Sequence, residues 1–230
     1  MPSREEVAYF GAGPAPLPTP VLEAGAKAFL NYNDLGLSLA EISHRSPEAT
    51  KILADTRAAL TQLLGIPENY EILFMHGGGS AEFSAVVFNM VAAWAERRRR
   101  KAVEELGGDE ERILQRVKEE VALQLKLDYV LTGSWSLKAS QEAARLLEPL
   151  GQDCVNVAVD ARKHSEGKFD NIPKEPWNLS PDPALIYYCD NETGKQFWCN
   201  PSLCWTGKDA RRFSSGSLMK DVYSGCEYIQ

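Results

Sequence analysis

Segments that favour extended backbone alternate along this chain with segments of helical periodicity, and that alternation limits the available folds more than any other feature. Tyr70 to Met75, Tyr129 to Thr132, Val155 to Val159 and Leu185 to Cys189 are runs of aromatic, β-branched and aliphatic residues that predict strands. Residues 7 to 10 predict a further short strand. Thr19-Pro20 and Ser46-Pro47 each pair a capping residue with a proline suited to a first helical turn. The first predicted helix carries Val21, Leu22, Ala28 and Phe29 on one face. The second carries Ile52, Leu53, Leu60 and Leu64 and stops at Gly65, with Pro67 beyond it. Further helices are predicted from about Ser80 and over Ser136 to Leu150. Such alternation predicts an α/β fold, a mostly parallel sheet in a three-layer α/β/α arrangement.

Composition sets the outer bounds. The chain has 230 residues, 44% of them hydrophobic and 25% charged, enough for a buried core. A net charge of −7 argues against a general nucleic-acid binder, although a local arginine pocket can still grip an anion. Arg97-Arg98-Arg99-Arg100-Lys101 is the one basic run; acidic residues crowd both of its sides, which favours a solvated helical extension over a nucleic-acid contact. The five cysteines show no regular framework, and Cys199 with Cys204 lacks a second pair to complete a zinc site, so reduced thiols and no metal are expected. Met1 to Val7 is charged, unlike a secretory start, and no apolar run approaches the roughly 18 residues of a membrane span. A cytoplasmic protein is the expectation.

The chemistry-bearing residues cluster at the ends of predicted strands. Gly77-Gly78-Gly79-Ser80 stands between a strand and a helix, where glycine backbone and a helix start can cradle a phosphate; the alternative is a tight turn without a ligand. The run matches neither the P-loop nor GxGxxG. His44-Arg45 offers a guanidinium fork and an imidazole to an anion, or is a surface pair. Trp135 follows the strand ending at Thr132 and can stack on a planar ligand or belong to the core. Thr193 ends another strand, as a ligand for a cofactor or as a simple turn residue. In an open α/β sheet ligands bind beyond the carboxyl ends of the strands, so these positions converge on a planar ligand bearing a phosphate. A nucleotide-binding oxidoreductase would need an acidic residue at the end of the next strand, where Thr132-Gly133 stands instead.

Several of these segments resemble the motifs of phosphoserine aminotransferases, in that family's order. They are Phe10 to Pro18, Glu41-Ile42-Ser43-His44-Arg45, Asn69 through His76-Gly77-Gly78-Gly79 to Phe83, Leu131 to Trp135, and Tyr188 to Thr193. The resemblance spans residues 6 to 193 apart from the charged insert at about 96–126. It implies the large domain of a pyridoxal 5′-phosphate enzyme and, from the family, a homodimer. By the same resemblance, backbone groups of Gly79 and Ser80 would hold the cofactor phosphate. Trp135 would stack on the pyridine ring, and Thr193 would hydrogen-bond its phenolic oxygen. His44 and Arg45 would bind the substrate's phosphate or another anionic group. The implied reaction passes an amino group between L-glutamate and 3-phosphohydroxypyruvate, giving phosphoserine in L-serine biosynthesis.

Beyond Thr193 the resemblance stops. The family's aspartate for the pyridine nitrogen and its Gln-Lys pair, whose Schiff-base lysine carries the cofactor, are not recognisable. Lys195, Lys208 and Lys220 do not stand in the Gly-Ala-Gln-Lys context. The chain therefore reads as an incomplete large domain over 1–193 and a divergent tail over 194–230. Two readings remain: an aminotransferase family member, or a non-catalytic fragment that binds phosphate ligands or associates with a full-length subunit.

Overall fold

A computed structural model describes residues 3–11, 14–150, 154–169, 177–189, 191–192 and 197–198. The chain forms two compact units, Met1–Phe74 and Met75–Gln230.

The first unit is helical. Helix α1 spans Thr19–Leu30 and starts one residue earlier than the Thr19 cap predicts, with Pro20 in its first turn. Helix α2 spans Pro47–Leu64 and has both predicted ends. The Ser46 side chain accepts the Ala49 amide at 3.1 Å, and Gly65 closes the helix in the left-handed conformation. No described residue of this unit is buried. The apolar faces of its helices lie open, with Phe10, Leu30 and Leu63 91%, 83% and 80% exposed.

Two predicted strands do not form. Residues 7–10 and Tyr70 to Met75 carry no strand pairing in the structure. Their composition favours extended backbone, but a strand exists only through the hydrogen bonds of a neighbour. No described segment pairs with either of them.

The second unit holds the core. Helix α3, Gly78–Leu106, continues through the basic run, and α4, Glu110–Gln124, follows a turn at Gly107. Strand β1, Leu127–Leu131, leads into α5, Ser134–Leu147, and then β2, Val155–Asp160, and β3, Leu185–Tyr187. The sheet order is β2-β1-β3, and both pairings are parallel. Ala158 is an extra residue in β2, where the register against Tyr129 and Val130 shifts. Asn191–Glu192, β4, and Phe197–Trp198, β5, form a separate antiparallel pair.

The central strand is buried along its whole length, as a parallel strand covered on both faces must be. Leu127, Tyr129 and Leu131 join Val87 and Trp94 of α3 and Ala143 and Leu147 of α5 in one apolar cluster. The α3 side chains recur at helical spacing, 83, 87, 90, 91 and 94, which turns one face of that helix onto the sheet. Between Leu127 and Tyr129, Asp128 lies on the other face, fully buried. Its carboxylate accepts the Ser180 amide at 2.7 Å, the Ser180 hydroxyl at 2.6 Å and the Asn156 amide at 2.8 Å.

Arg98, Arg99, Arg100 and Lys101 of the basic run each have a carboxylate partner within the fold. Arg98 lies over the Trp94 ring at 4.4 Å and reaches Glu120 at 3.3 Å and Asp182 at 2.5 Å. Arg99 and Arg100 both bind Glu96 and hold its carboxyl down at about 2, chiefly through their hydrogen bonds. This is a charged helix surface with its own counter-ions.

Candidate functional site

The glycine run becomes the start of α3. Gly77 precedes the helix with φ 103° and Gly78 opens it with φ 58°, so both take the left-handed region that side chains avoid. A Cβ at Gly77 would also collide with the Ala81 side chain. No side chain caps this end of the helix. The first amides of an α-helix have no partner within it, and the residues that carry them, Gly79 and Ser80 among them, are exposed. The end of a 29-residue helix is thus open to an anion.

Trp135 stands just past the carboxyl end of β1, in the first turn of α5. The residue is 52% exposed, which decides between core and surface: its indole is available to stack on a planar partner. The Lys138 ammonium lies 4.7 Å from its centroid. Beside it the Thr132 hydroxyl is buried without a hydrogen-bond partner. An uncapped helix start, a half-exposed indole and an orphaned buried hydroxyl fit a flat ligand that carries a phosphate and polar substituents.

The start of α5 is organised by a residue that no local sequence signal marks. Glu192 of β4 is 1% exposed. Its carboxylate accepts the amides of Trp135 at 3.0 Å and Ser136 at 2.9 Å, and the Ser136 hydroxyl at 2.6 Å. That hydroxyl in turn accepts the amides of Thr132 and Gly133, each at 3.0 Å. Among the described residues no lysine or arginine pairs with Glu192; amides at the positive end of the helix answer its charge. Gly133 makes the approach possible, because a Cβ there would overlap the Glu192 carboxyl group.

The remaining predicted residues fall elsewhere. His44 and Arg45 form an exposed turn of the first unit, just before α2. The Arg45 amide donates to the Ser43 hydroxyl at 3.2 Å. Thr193 lies outside the described residues, next to Glu192, as do Lys195, Lys208 and Lys220. A separate cavity of about 640 Å³ lies at the amino end of the strands, lined by Arg98, Lys126, Asn156, Ser180 and Asp182 among others; none of the predicted site residues lines it. Among the described residues no cluster of histidine, cysteine, aspartate or glutamate could hold a metal, and no helix is long and apolar enough to cross a membrane.

Comparisons with known proteins agree on one family. The model of the class-V aminotransferases matches residues 7–127. The phosphoserine aminotransferase of Saccharomyces cerevisiae is 38% identical over 196 residues, 83% of this chain and 42% of that protein. That of Drosophila melanogaster is 36% identical over 188 residues, 81% of this chain and 41% of that protein. Among solved structures, the pyridoxal-phosphate-bound phosphoserine aminotransferase of Trichomonas vaginalis superposes with a TM-score of 0.57 at 33% identity, covering 80% of this chain and 43% of that one. The enzyme of Bacillus circulans gives 0.54 at 28% identity, covering 80% and 40%. The chain thus spans less than half the length of the relatives it matches.

Proposed function

The chain belongs to the class-V aminotransferase family, and from that premise we propose that its described residues form the phosphate- and ring-binding part of a pyridoxal 5′-phosphate site. The reaction it serves is amino transfer between L-glutamate and 3-phosphohydroxypyruvate. Similarity to proteins named phosphoserine aminotransferase supports that choice of substrates. The reading rests above all on the first turn of α3, an exposed helix start with two left-handed glycines and no side-chain cap.

In this reading the Gly79 and Ser80 amides hold the phosphate, where the helix field favours negative charge. Trp135 stacks on the pyridine and excludes water from one face of it. Thr193 donates to the phenolic oxygen. His44 and Arg45 take the phosphate of the substrate. The bound cofactor supplies an electron-accepting ring that stabilises negative charge developing beside the transferred nitrogen. The site lies in the cytoplasm.

Titration of the full chain with pyridoxal 5′-phosphate, followed by equilibrium dialysis, tests the site. One equivalent bound, displaced by millimolar inorganic phosphate and weakened by Gly78→Val, is the expected result. No binding at millimolar cofactor removes the reading. Glutamate-dependent release of 2-oxoglutarate tests amino transfer separately, because no residue of this chain is assigned as the lysine that would move the proton.

The uncovered apolar faces of the first unit favour a second reading, association with further polypeptide: a homodimer or a full-length subunit. Light scattering of the purified chain, alone and mixed with a full-length homologue, distinguishes these. A monomer in both samples counts against association.

A further inference from the structure

Helix α5 starts without a cap of its own, since the N-cap residue is Gly133 and no local side chain bonds to the first amides. Glu192 supplies that cap from 57 residues away, and it does so at the amide of the residue whose ring faces outward, Trp135. We propose that Glu192 is a positioning residue for the Trp135 ring, so that one buried carboxylate fixes the stacking surface. The inference rests on the reading of Trp135 as the ring-stacking residue.

Three features give the arrangement its rigidity. The Trp135 and Ser136 amides both point into the same carboxylate, at 3.0 and 2.9 Å, so the first turn of α5 cannot rotate without breaking charge-assisted bonds. The Ser136 hydroxyl gives its proton to Glu192 and accepts two amides from the end of β1, which ties helix, strand end and carboxylate into one network. The carboxylate packs directly on Gly133, in the space that a Cβ at that position would take. Lys138 lies over the ring of Trp135. With the backbone of Trp135 fixed, the orientation of its indole depends on little more than its own side-chain torsions.

A purely structural helix cap would lower stability and leave ligand selectivity unchanged, and two probes separate these cases in the full chain. Inorganic phosphate engages only the start of α3, whereas pyridoxal 5′-phosphate engages the ring as well. Glu192→Gln keeps the size of the side chain and removes its charge and one acceptor. Its affinity for pyridoxal 5′-phosphate is expected to fall about tenfold, the order of one aromatic stacking contact, with phosphate affinity unchanged. Trp135→Ala should show the same loss, and the double variant no further loss. Asp128→Asn, a buried carboxylate at the opposite end of β1, should reduce stability while leaving both affinities in their wild-type ratio.

Equal weakening of both probes by Glu192→Gln, or undiminished cofactor affinity in that variant, overturns the inference. If the wild-type chain binds neither probe, the cofactor reading fails instead, and the positioning role is read from the ring itself. The indole N–H resonance of Trp135, assigned by its loss in Trp135→Ala, should then shift and broaden in Glu192→Gln but not in Asp128→Asn. An unmoved resonance in a folded Glu192→Gln variant also overturns the proposal.

Discussion

A buried carboxylate needs donors on every side, and Asp128 has them from two segments, the loop at Ser180 and β2 at Asn156. Converting it to asparagine leaves the shape intact but turns an amide group toward donors that require an acceptor. Asp128→Asn is expected to lower stability by about 2 kcal/mol, measured by urea unfolding, because paired donors lose their acceptor in a dry site. Tyr129 is the opposite case. Its hydroxyl is buried without a partner, and burial first, then the neighbouring Tyr187, raises its pKa well above the usual phenol value. With the folded pKa raised, stability does not depend on this group's titration below its unfolded pKa of about 10 and falls as pH rises from there. Tyr129→Phe is therefore expected to raise stability by about 1 kcal/mol at neutral pH, since removing an unpaired buried hydroxyl removes its desolvation cost. The variant should also flatten the fall in thermal midpoint above about pH 10. A midpoint that drops equally in both proteins would assign the alkaline loss to other groups.

At the scale of elements, the start of α5 is where a small change should do most damage. Gly133→Ala places a methyl group on the Glu192 carboxyl, which is held by three donors and has nowhere to go. The expected cost is about 2–3 kcal/mol, through overpacking and partial loss of the cap, read from the chemical denaturation midpoint. Ser134→Ala, exposed in the same turn, is the comparison and should change it by less than about 0.5 kcal/mol. The sequence discloses some elements more readily than others. Both ends of α2 are legible, because Ser46-Pro47 and Gly65 act through local backbone geometry. Strands β1, β2 and β3 are legible as apolar runs that find partners. Tyr70 to Met75 has the same composition, yet forms no strand, because pairing depends on a second segment that its own residues do not specify. The candidate site divides in the same way. The glycines at the start of α3 and the position of Trp135 after β1 are local signals. Glu192 is 56 residues from the Ser136 amide, and no periodicity or spacing connects them.

At the scale of the whole molecule the two units differ in kind, and hydrogen exchange should report that difference directly. Opening free energies run from near zero where backbone hydrogen bonds meet water to the global value in a packed core. In Met75–Gln230, β1 is buried at every position and its partners on both sides are parallel strands. Its amides from Leu127 to Leu131 should exchange last, together with the inner face of α5. In Met1–Phe74, α2 is capped and both α1 and α2 have helical periodicity, but neither has a buried residue. Isolated helices of 12 and 18 residues gain little from propensity alone, so their amides should exchange at least about 100-fold faster than those of β1. Loss of protection at similar rates across both units would show that they unfold as one. A full-length subunit that covers Phe10, Leu30 and Leu63 would slow exchange in α1 and α2 and leave β1 unchanged, because only the first unit lacks a core. Exchange measured with and without that partner thus tests association and the internal hierarchy of stability in the same spectrum.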